Sequence, residues 1–344
     1  MKTPKTMKQV QARKFGGPEV LEVVTTNTPA PGPREVLIRV EAAAVNFSDV
    51  MRRRASPYPF PTTLPYVPGS EVAGTVEAVG KGVTAPAVGA RVFAVVGADG
   101  SGGYAEFALA QAAQAIPIPD GLSADVACGL LVAGSTAVLL LTEAAKLQRG
   151  ESIFVPAAAG GVGSLLVQLA RHLGAGRVIA AASSAPKRDA VKALGADVVL
   201  DATNVTAAAV REATGGQGVD VWLEMEGGAS LEQGVQALAP FGRAVVYGSA
   251  STAPRTLSQA AQDFLWASPS LGQSVIAFNL GLFFGLKPQA AGAAVGRLLE
   301  AIGSGAVTLR VGEVFPLARA ADAHRALEGR RTMGKLVLRP GGAS

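Results

Sequence analysis

The spacing of hydrophobic and polar residues changes along the chain and divides the sequence into regions. From residue 8 to about residue 120, apolar residues alternate with polar ones or form short β-branched runs, as in EVLIRVEAAAV and SEVAGTVEAVG. Turn-forming segments such as PAPGPRE and VGKGVTAPAVGARV separate these runs. A period of two indicates strands, so this region predicts a small, barrel-like β domain.

Near Ser123 the spacing becomes helical, in LSADVACGLLVAGSTAVLLLTEAAKLQRG, and Ser123 is the predicted helix cap. From Glu151 apolar strands alternate with helices. The predicted strands are SIFVPAA, RVIAAAS, DVVLDA, VDVWLEM and RAVVYGS. Strands joined by helices of this length predict an α/β fold with a parallel, doubly wound sheet. After about Leu265 the pattern loosens, and HRALEGRRTMGKLVLRP predicts a last helix and strand.

The composition is that of a globular chain, with 344 residues of which 49% are hydrophobic and 17% charged. The uncharged run Val126–Thr142 is interpreted as a buried helix, and Phe264–Leu286 holds too many polar residues and glycines for a membrane span. The formal charge of +5 is spread along the chain without a basic stripe. We therefore expect a small-molecule partner and neither a membrane nor nucleic acid.

The only cysteine, Cys128, excludes an intrachain disulfide bond and lies in an apolar run. It is interpreted as a small core residue and not as a nucleophile. The basic N-terminal residues MKTPKTMKQVQARKF lack the apolar core of a signal peptide, so a cytoplasmic location is expected.

The segment VPAAAGGVGS follows a predicted strand and opens a predicted helix, the context of a dinucleotide-binding loop. Glycine lets the backbone approach a pyrophosphate, and the helix N-terminus offers free N–H groups. Ala158 takes the first glycine position of the fingerprint, and the loop then runs Gly160, Gly161, Val162, Gly163. A strand–helix turn without a ligand is the alternative, but the strand–helix alternation downstream favours cofactor binding.

The segment AAASSAPKRD lies about 20 residues after this loop, where NAD-binding proteins place an acid for the ribose hydroxyl. It offers Ser183, Ser184 and Lys187 instead. Hydroxyls and a cation suit the 2′-phosphate of NADPH, which an acid would repel. The alternative is that Lys187 and Arg188 are ordinary solvated helix residues.

The chain resembles the zinc-independent medium-chain dehydrogenases/reductases of the quinone oxidoreductase (zeta-crystallin-like) branch. The resemblance is carried by AAAGGVG with QLARHLGA, by LGAD, LAPFGRAVVYG and NFSD, and by the closing AHRALEGRRTMGKLVL. It implies a central Rossmann NADPH-binding domain, residues 126–265, and a split GroES-like catalytic domain, residues 1–125 and 266–344. It also implies a cleft between these domains and a homo-oligomer, of which we expect a homodimer.

Zinc-containing relatives take their ligands from a Cys-His-x-Asp and a Gly-His-Glu segment. Here NFSD places Asn46 and Phe47 in the first, and GSE places Ser70 in the second. The histidines, His172 and His324, are interpreted as structural or surface residues. We therefore expect no bound metal ion. Without a Lewis acid, hydride transfer is expected to electron-poor acceptors, which are quinones or carbon–carbon double bonds conjugated to a carbonyl.

The resemblance places Asn46 and Tyr58 beside the nicotinamide and the substrate. Asn46 is expected to act as an orienting hydrogen-bond donor, and Tyr58 to bind the carbonyl oxygen or deliver the proton. Two structural roles stay open: Asn46 can close a turn, and Tyr58 can only line the pocket.

The resemblance also assigns cofactor contacts outside the glycine loop. They are Thr136 near the nicotinamide, Gly248 and Ser249 at the cofactor edge, Phe278 and Asn279 beside the carboxamide, and Arg330 at the 2′-phosphate. Ala202 departs from relatives that place a tyrosine near the adenosine phosphate. Glu224 and Met225 stand where the family often has Asp and a small apolar residue.

Three adjacent cations, Arg52 to Arg54, precede Tyr58. They are either part of a solvated loop or a collector for an anionic substrate handle such as the phosphates of an acyl-coenzyme A. The sequence thus predicts an NADPH-dependent reductase of a quinone, an enone or an enoyl thioester. The alternative is an NADPH-binding protein of the vesicle or crystallin type with little or no catalysis.

Overall fold

The computed structural model describes residues 3–248, 250, 257–267 and 271–341. It divides into two compact units. The first unit joins the chain up to Val132 with the chain from Leu309, and the second unit spans Ala133–Thr308. Each unit has its own sheet and its own buried core.

The strands in chain order are β1 Thr6–Ala12, β2 Leu21–Asn27, β3 Glu35–Val45, β4 Glu71–Val79, β5 Arg91–Val95, β6 Phe107–Gln111, β7 Ile116–Pro117, β8 Ser152–Val155, β9 Arg177–Ala182, β10 Val198–Asp201, β11 Val219–Glu224, β12 Leu238–Val246, β13 Ser274–Ala277, β14 Val311–Pro316 and β15 Lys335–Arg339. The α-helices are α1 Phe47–Arg53, α2 Ala124–Ala127, α3 Ser135–Leu139, α4 Gly161–His172, α5 Ala185–Ala193, α6 Ala207–Ala213, α7 Ala229–Ala237, α8 Gln259–Ala267, α9 Leu280–Leu286, α10 Pro288–Gly303 and α11 Ala320–Glu328. Single 3₁₀ turns cover 18–20, 112–114 and 317–319, and π-helical turns cover 130–134 and 140–144.

The first unit is built on a largely antiparallel sheet in the order β14-β15-β3-β4-β5-β7, with β6 also paired to β3. Because β15 runs antiparallel to β3, with Leu336 opposite Val45, the end of the chain completes a sheet begun near its start. Gly74 permits the close approach of β3 and β4, because a Cβ there would lie 2.1 Å from the carbonyl oxygen of Arg39. This sheet confirms the β-rich, GroES-like part of the predicted fold.

The second unit contains a parallel sheet in the order β10-β9-β8-β11-β12-β13. Apolar side chains from its strands form the core, where the ring of Phe154 in β8 stacks on Trp222 in β11 with the centroids 4.0 Å apart. Helices connect the strands, as the alternation of strand and helix predicts, and the doubly wound α/β fold is confirmed.

The chain returns from the second unit to the first after Thr308, whereas the sequence predicts this domain boundary at residue 265. Strand β13 extends the parallel sheet by pairing with β12, and helix α10 packs on α3 within the same unit. Chain beyond residue 265 therefore belongs to the second unit as far as Thr308. Strand β13 is short and was not predicted, because SVIA shows no alternation that separates it from the apolar run around it.

The apolar run from Val126 to Thr142 forms α2, α3 and the π-helical turns beside them, and most of its side chains are buried. Ser123 begins α2 as predicted, since its hydroxyl accepts a hydrogen bond from the N–H of Val126 at 3.3 Å. Within the described ranges, no helix has the length and apolar character needed to cross a bilayer.

Candidate active site

The carboxyl ends of the parallel strands meet at one edge of the second unit's sheet. The glycine loop follows β8, the segment with Ser183 and Ser184 follows β9, Gly248 follows β12 and Phe278 follows β13. The fold therefore gathers at this edge predicted cofactor residues that lie more than 100 positions apart in the chain. We refer to these segments together as the nucleotide edge.

The glycine loop leaves the N-terminus of α4 open. Gly160 precedes the helix in an extended conformation, and no side chain caps the first turn. The first N–H groups of a helix have no intrahelical partner, so those of Gly161, Val162 and Gly163 can donate to an anion. A Cβ on Gly163 would lie 2.5 Å from the carbonyl oxygen of Ala157, so only glycine lets this turn pack so closely.

Ala158, which replaces the first glycine of the fingerprint, is fully buried, and its N–H donates to the carbonyl of Ala181 in β9 at 2.9 Å. The strained backbone lies one residue earlier, because Ala157 has a φ of 44°, in the left-handed region that favours glycine. The loop is thus anchored to the neighbouring strand before it reaches Gly160.

The residues of the segment after β9 differ in their exposure to solvent. Ser183 is exposed, Ser184 precedes α5 without capping it, and Lys187 is half-buried in the first turn of α5. Partial burial lowers the pKa of the Lys187 ammonium. The three side chains belong to one short turn at the nucleotide edge, and their binding to a 2′-phosphate stays a prediction.

Arg188 is not simply solvated, because it pairs with Asp201 at 3.0 Å. Asp201 ends β10 directly opposite Ala182, so an acid does lie at this part of the nucleotide edge. Hydrogen bonds from the backbone and the hydroxyl of Thr203 are the main reason that the pKa of Asp201 is lowered. Sequence counting missed this acid because it arrives from the neighbouring strand.

Thr136, Phe278 and Asn279, which are also assigned to the cofactor, are fixed by burial or by hydrogen bonds. Thr136 is buried in α3 beside Ser135, whose buried hydroxyl has no hydrogen-bond partner among the described residues. The N–H of Phe278 donates to the carbonyl of Val246 at 2.9 Å, which holds the residue next to the end of β12. The side chain of Asn279 accepts from the N–H of a residue in the first turn of α9 at 3.2 Å and so caps that helix.

The remaining residues assigned to the cofactor are Gly248, Ser249 and Arg330. Gly248 packs against Met225, since a Cβ on Gly248 would lie 3.2 Å from the Met225 Cβ. Ser249 lies outside the described residues. Arg330 lies in the first unit after α11, with a left-handed φ of 53°.

Glu224, an unexplained departure from the family pattern, has a structural role. It is fully buried, and its carboxylate accepts hydrogen bonds from the Trp222 indole at 3.1 Å, the Ser230 hydroxyl at 2.7 Å and the N–H of Gly227 at 2.9 Å. The longer acidic side chain thus satisfies the donors of the turn that joins β11 to α7.

In the first unit, Asn46 begins α1 and is 7% exposed. Its N–H donates to Oδ2 of Asp49 at 2.8 Å. Its side chain meets two charged groups of opposite sign: Nδ2 donates to Oε1 of Glu71 at 3.1 Å, and Oδ1 accepts from Nζ of Lys335. Asn46 therefore starts a helix with its backbone, the structural role that the sequence left open, and its carboxamide is held between two charged groups. Its role as a hydrogen-bond donor to the substrate stays a prediction.

Sequence reasoning missed Glu71 and Lys335 as parts of this arrangement. Both are almost completely buried, and their charged groups lie 3.4 Å apart. A charged residue in an apolar strand pattern, as in MGKLVL and SEVAGTV, is the signal that could have identified them. Glu71 is further fixed by the N–H of Val132, which donates to Oε2 at 2.8 Å.

Tyr58 is half-buried. The Arg52 guanidinium lies 5.6 Å from the centre of its ring. Burial is the main reason that the pKa of the Tyr58 phenol is raised, so the phenol keeps its proton at neutral pH. This environment suits a proton donor and equally a pocket wall, and the role of Tyr58 stays a prediction.

The three arginines of the run have different environments. Arg52 and Arg53 are buried in α1 and are neither solvated nor available to a substrate. Arg52 pairs with Asp99 at 2.5 Å and lies over the ring of Tyr66 at 4.7 Å. Arg54 is exposed but pairs at 3.0 Å with Glu328. The interpretation as an anion collector is therefore wrong for Arg52 and Arg53, because the fold uses these cations in its interior.

His324 is buried and hydrogen-bonded on both ring nitrogens, to Arg53 and to Tyr104, whereas His172 is exposed on α4. Both therefore have the structural or surface character that the sequence indicated. Cys128 is buried, with its thiol directed at the carbonyl of Asp125 at 3.3 Å, and burial raises the pKa of the thiol.

Two family models match the chain. The alcohol dehydrogenase GroES-like domain matches residues 32–120, and the zinc-binding dehydrogenase family matches residues 161–271. A 2-haloacrylate reductase from Burkholderia sp is 34% identical over 95% of this chain and 97% of its own length. A quinone oxidoreductase from Pseudomonas aeruginosa is 35% identical over 97% of this chain and 99% of its own. A mycobacterial structure complexed with NADPH has a TM-score of 0.87 and 37% identity, covering 97% of this chain and all of that one.

Proposed function

Because the chain belongs to the quinone oxidoreductase branch of the medium-chain dehydrogenases/reductases, we propose that it reduces an electron-poor conjugated acceptor with NADPH and without zinc. The acceptor class is a quinone or an α,β-unsaturated carbonyl compound. An enoyl-coenzyme A remains in this class by its chemistry, although the two buried arginines of α1 no longer support it.

The observation that carries the proposal is the nucleotide edge. Open N–H groups at α4 suit a pyrophosphate, and Ser183, Ser184 and Lys187 suit a 2′-phosphate. The acid Asp201 is partly neutralised by its pairing with Arg188, so it opposes a phosphate less than an unpaired carboxylate would. The cofactor is NADPH, with which the mycobacterial relative is complexed in its solved structure. When bound, NADPH supplies the hydride for the reduction.

Zinc does not fit the residues of the first unit. The positions that carry ligands in zinc-containing relatives hold Asn46, Phe47 and Ser70, and the ammonium of Lys335 donates to the Asn46 carboxamide oxygen. A fixed ammonium repels a metal cation from the oxygen that it binds. Across the described residues there is no group of three or more His, Cys, Asp or Glu side chains that could hold a metal ion.

The residues of the first unit are proposed to act on the acceptor. Reduction of a conjugated carbonyl places negative charge on its oxygen, and a fixed amide donor stabilises that charge. Asn46 supplies such a donor through Nδ2. Tyr58, which keeps its proton, is proposed to bind the same oxygen or to return a proton to the product.

The proposal is tested by following NADPH oxidation at 340 nm with a panel of quinones, neutral enones and enoyl-coenzyme A thioesters. We expect turnover with at least one class, a preference for NADPH over NADH, and no loss of rate after treatment with a zinc chelator. Stoichiometric zinc by elemental analysis, together with loss of activity on chelation, would contradict the zinc-independent chemistry. Tight NADPH binding without any turnover would favour the alternative of a nucleotide-binding protein.

A further inference from the structure

We propose that Lys335 is a positioning residue for the reduction: with Glu71 it locks the carboxamide of Asn46 in one orientation and polarises it, so that Nδ2 becomes a strong donor toward the substrate oxygen. This inference rests on the proposed function and names the device that prepares its hydrogen-bond donor. Neither Lys335 nor Glu71 touches the reacting atoms in this proposal, and both act through Asn46.

The register of the sheet brings the two residues together. Strand β15 runs antiparallel to β3, and Leu336 pairs with Val45, so Lys335 comes next to Asn46 although 289 positions separate them in the chain. The stem of Lys335 lies along Gly129, where a Cβ would meet the lysine Cγ at 3.0 Å. The ammonium is thereby directed at the amide and away from solvent.

The charges on either side fix which end of the amide faces which neighbour. An ammonium can only donate and a carboxylate can only accept, so Oδ1 of Asn46 must face Lys335 and Nδ2 must face Glu71. Rotation of the amide by 180° would place N–H against the ammonium and C=O against the carboxylate.

A count of hydrogens shows what is left for a substrate. The Asn46 amide carries two hydrogens on Nδ2, and among the described residues one of them donates, to Oε1 of Glu71. The second hydrogen is the donor that the proposed reaction needs. Because the orientation of the amide is fixed, this donor is in place before substrate binds.

The ammonium also strengthens that donor. A cation at the carbonyl oxygen draws electron density from the amide nitrogen and makes its N–H groups more acidic. Hydrogen bonds in such a chain reinforce one another, and the effect is larger in an interior of low polarisability than in water. Lys335 is 4% exposed and Glu71 is fully buried, so water does not screen the three groups.

A purely structural role does not require this arrangement. Buried ion pairs can often be replaced by packed apolar side chains without loss of stability, so a buried lysine and glutamate on one amide call for another explanation. The N–H of Val132 additionally fixes Glu71 at 2.8 Å. The network therefore has the features of a device that holds one side chain in one electrostatic state.

The test uses the full-length protein and four variants. Lys335→Met removes the cation, Lys335→Arg keeps it, and the double variant Lys335→Met/Glu71→Gln removes both charges, so that no lone carboxylate stays buried. Arg339→Met on the same strand is the matched control, because its side chain is exposed and pairs with Asp125. Dissociation constants for NADPH and melting temperatures confirm that each variant is folded.

We expect Lys335→Met and the double variant to lower kcat for the acceptor about 10- to 100-fold, with Lys335→Arg between them and the wild type and Arg339→Met unchanged. In an Asn46→Ala background, Lys335→Met should cause no further loss, since it acts through the amide that has been removed. Additive losses in this cycle, or an unchanged kcat in a folded Lys335→Met protein, would overturn the proposal.

A second readout does not depend on activity. The chain has only four asparagines, Asn27, Asn46, Asn204 and Asn279, so selective ¹⁵N labelling with an Asn46→Ala reference identifies the side-chain amide of interest. We expect its resonance to move upfield in Lys335→Met, because the cation that withdraws electron density from the amide nitrogen is gone. An unmoved resonance would refute the polarisation by Lys335. A wild-type protein inactive on every acceptor would refute the proposed function while this spectroscopic result still decides the inference.

Discussion

Nη1 of Arg53 donates a hydrogen bond of 2.9 Å to Nδ1 of His324, and both side chains are fully buried. Because a guanidinium has no acceptor, Nδ1 must be unprotonated and the ring must be neutral with its hydrogen on Nε2. That nitrogen then donates to the Tyr104 hydroxyl at 3.0 Å, and Tyr104 donates to Asp49 at 3.3 Å. One arginine thus sets the direction of a chain of hydrogen bonds that ends at the first turn of α1.

The pH dependence of the free energy of unfolding should reflect the two titratable groups of these hydrogen bonds, His324 and Asp49. Burial, together with the charges of Arg53 and Arg54, lowers the pKa of His324 from 6.5 to about 3. Below pH 6.5 the unfolded chain binds a proton at this residue that the folded protein does not, so stability falls with falling pH. Burial raises the pKa of Asp49 from 3.8 to about 6. Between those values the folded protein binds the extra proton, so stability rises with falling pH.

The two contributions oppose each other between about pH 6 and pH 4, and His324→Gln should remove one of them. Relative to the wild type, the free energy of unfolding of the variant should then increase on acidification through this window, by up to about 1.4 kcal/mol per pH unit. Urea unfolding at half-unit pH steps measures this difference. Parallel curves for wild type and variant from pH 6 to pH 4 would show that His324 does not have the lowered pKa.

Arg53 and Arg54 provide a matched pair, since both bind the carboxylate of Glu328 but only Arg53 is buried. Arg53→Met should lower the free energy of unfolding by about 3–5 kcal/mol, because it leaves the buried side of Glu328 and His324 without a donor. Arg54→Met should cost about 1 kcal/mol or less. Similar losses for the two variants in denaturant titrations would contradict the assignment of Arg53 to the interior.

Lys187→Ala should change the preference between the nucleotides. We expect the KM for NADPH to rise about tenfold or more, with little change for NADH, because a charge-assisted contact to the 2′-phosphate is lost. Lys192→Ala is the control, because Lys192 is exposed in the last turn of the same helix. An equal effect of both variants, or an equal effect on both nucleotides, would remove Lys187 from the phosphate site.

Gly163→Ala should impair both folding and nucleotide binding, since its Cβ would lie 2.5 Å from one backbone atom and 2.7 Å from another. We expect a loss of about 1–3 kcal/mol in the free energy of unfolding and weaker NADPH binding. Gly292→Ala in α10 is the control: its Cβ meets nothing within 4 Å, so the change should stabilise the helix by up to about 1 kcal/mol. Thermal unfolding with and without NADPH separates the two effects.

Local patterns predicted the fold well where apolar runs are bounded by turn residues or a helix cap. The strands at SIFVPAA and RAVVYGS follow from apolar residues that come directly after a glycine-containing turn, and the cap at Ser123 follows from its own side chain. The sequence also predicted the glycine loop, because a close backbone contact such as that at Gly163 requires a residue without a Cβ and therefore leaves a glycine in the sequence. The sequence did not predict strand β13, because its four residues have no distinctive pattern of their own. They form a strand by pairing with β12.

By itself, the sequence determined the class of the sheet, the turn that offers N–H groups to a phosphate, and the hydroxyls and lysine that follow β9, because each depends on residues near one another in the chain. The tertiary structure alone decided that Arg52 and Arg53 are buried, that Asp201 lies opposite Ala182, and that Lys335 meets Asn46. The physical reason is that the energy of a charge depends on its burial and its partners, and strand register brings those partners from distant parts of the chain.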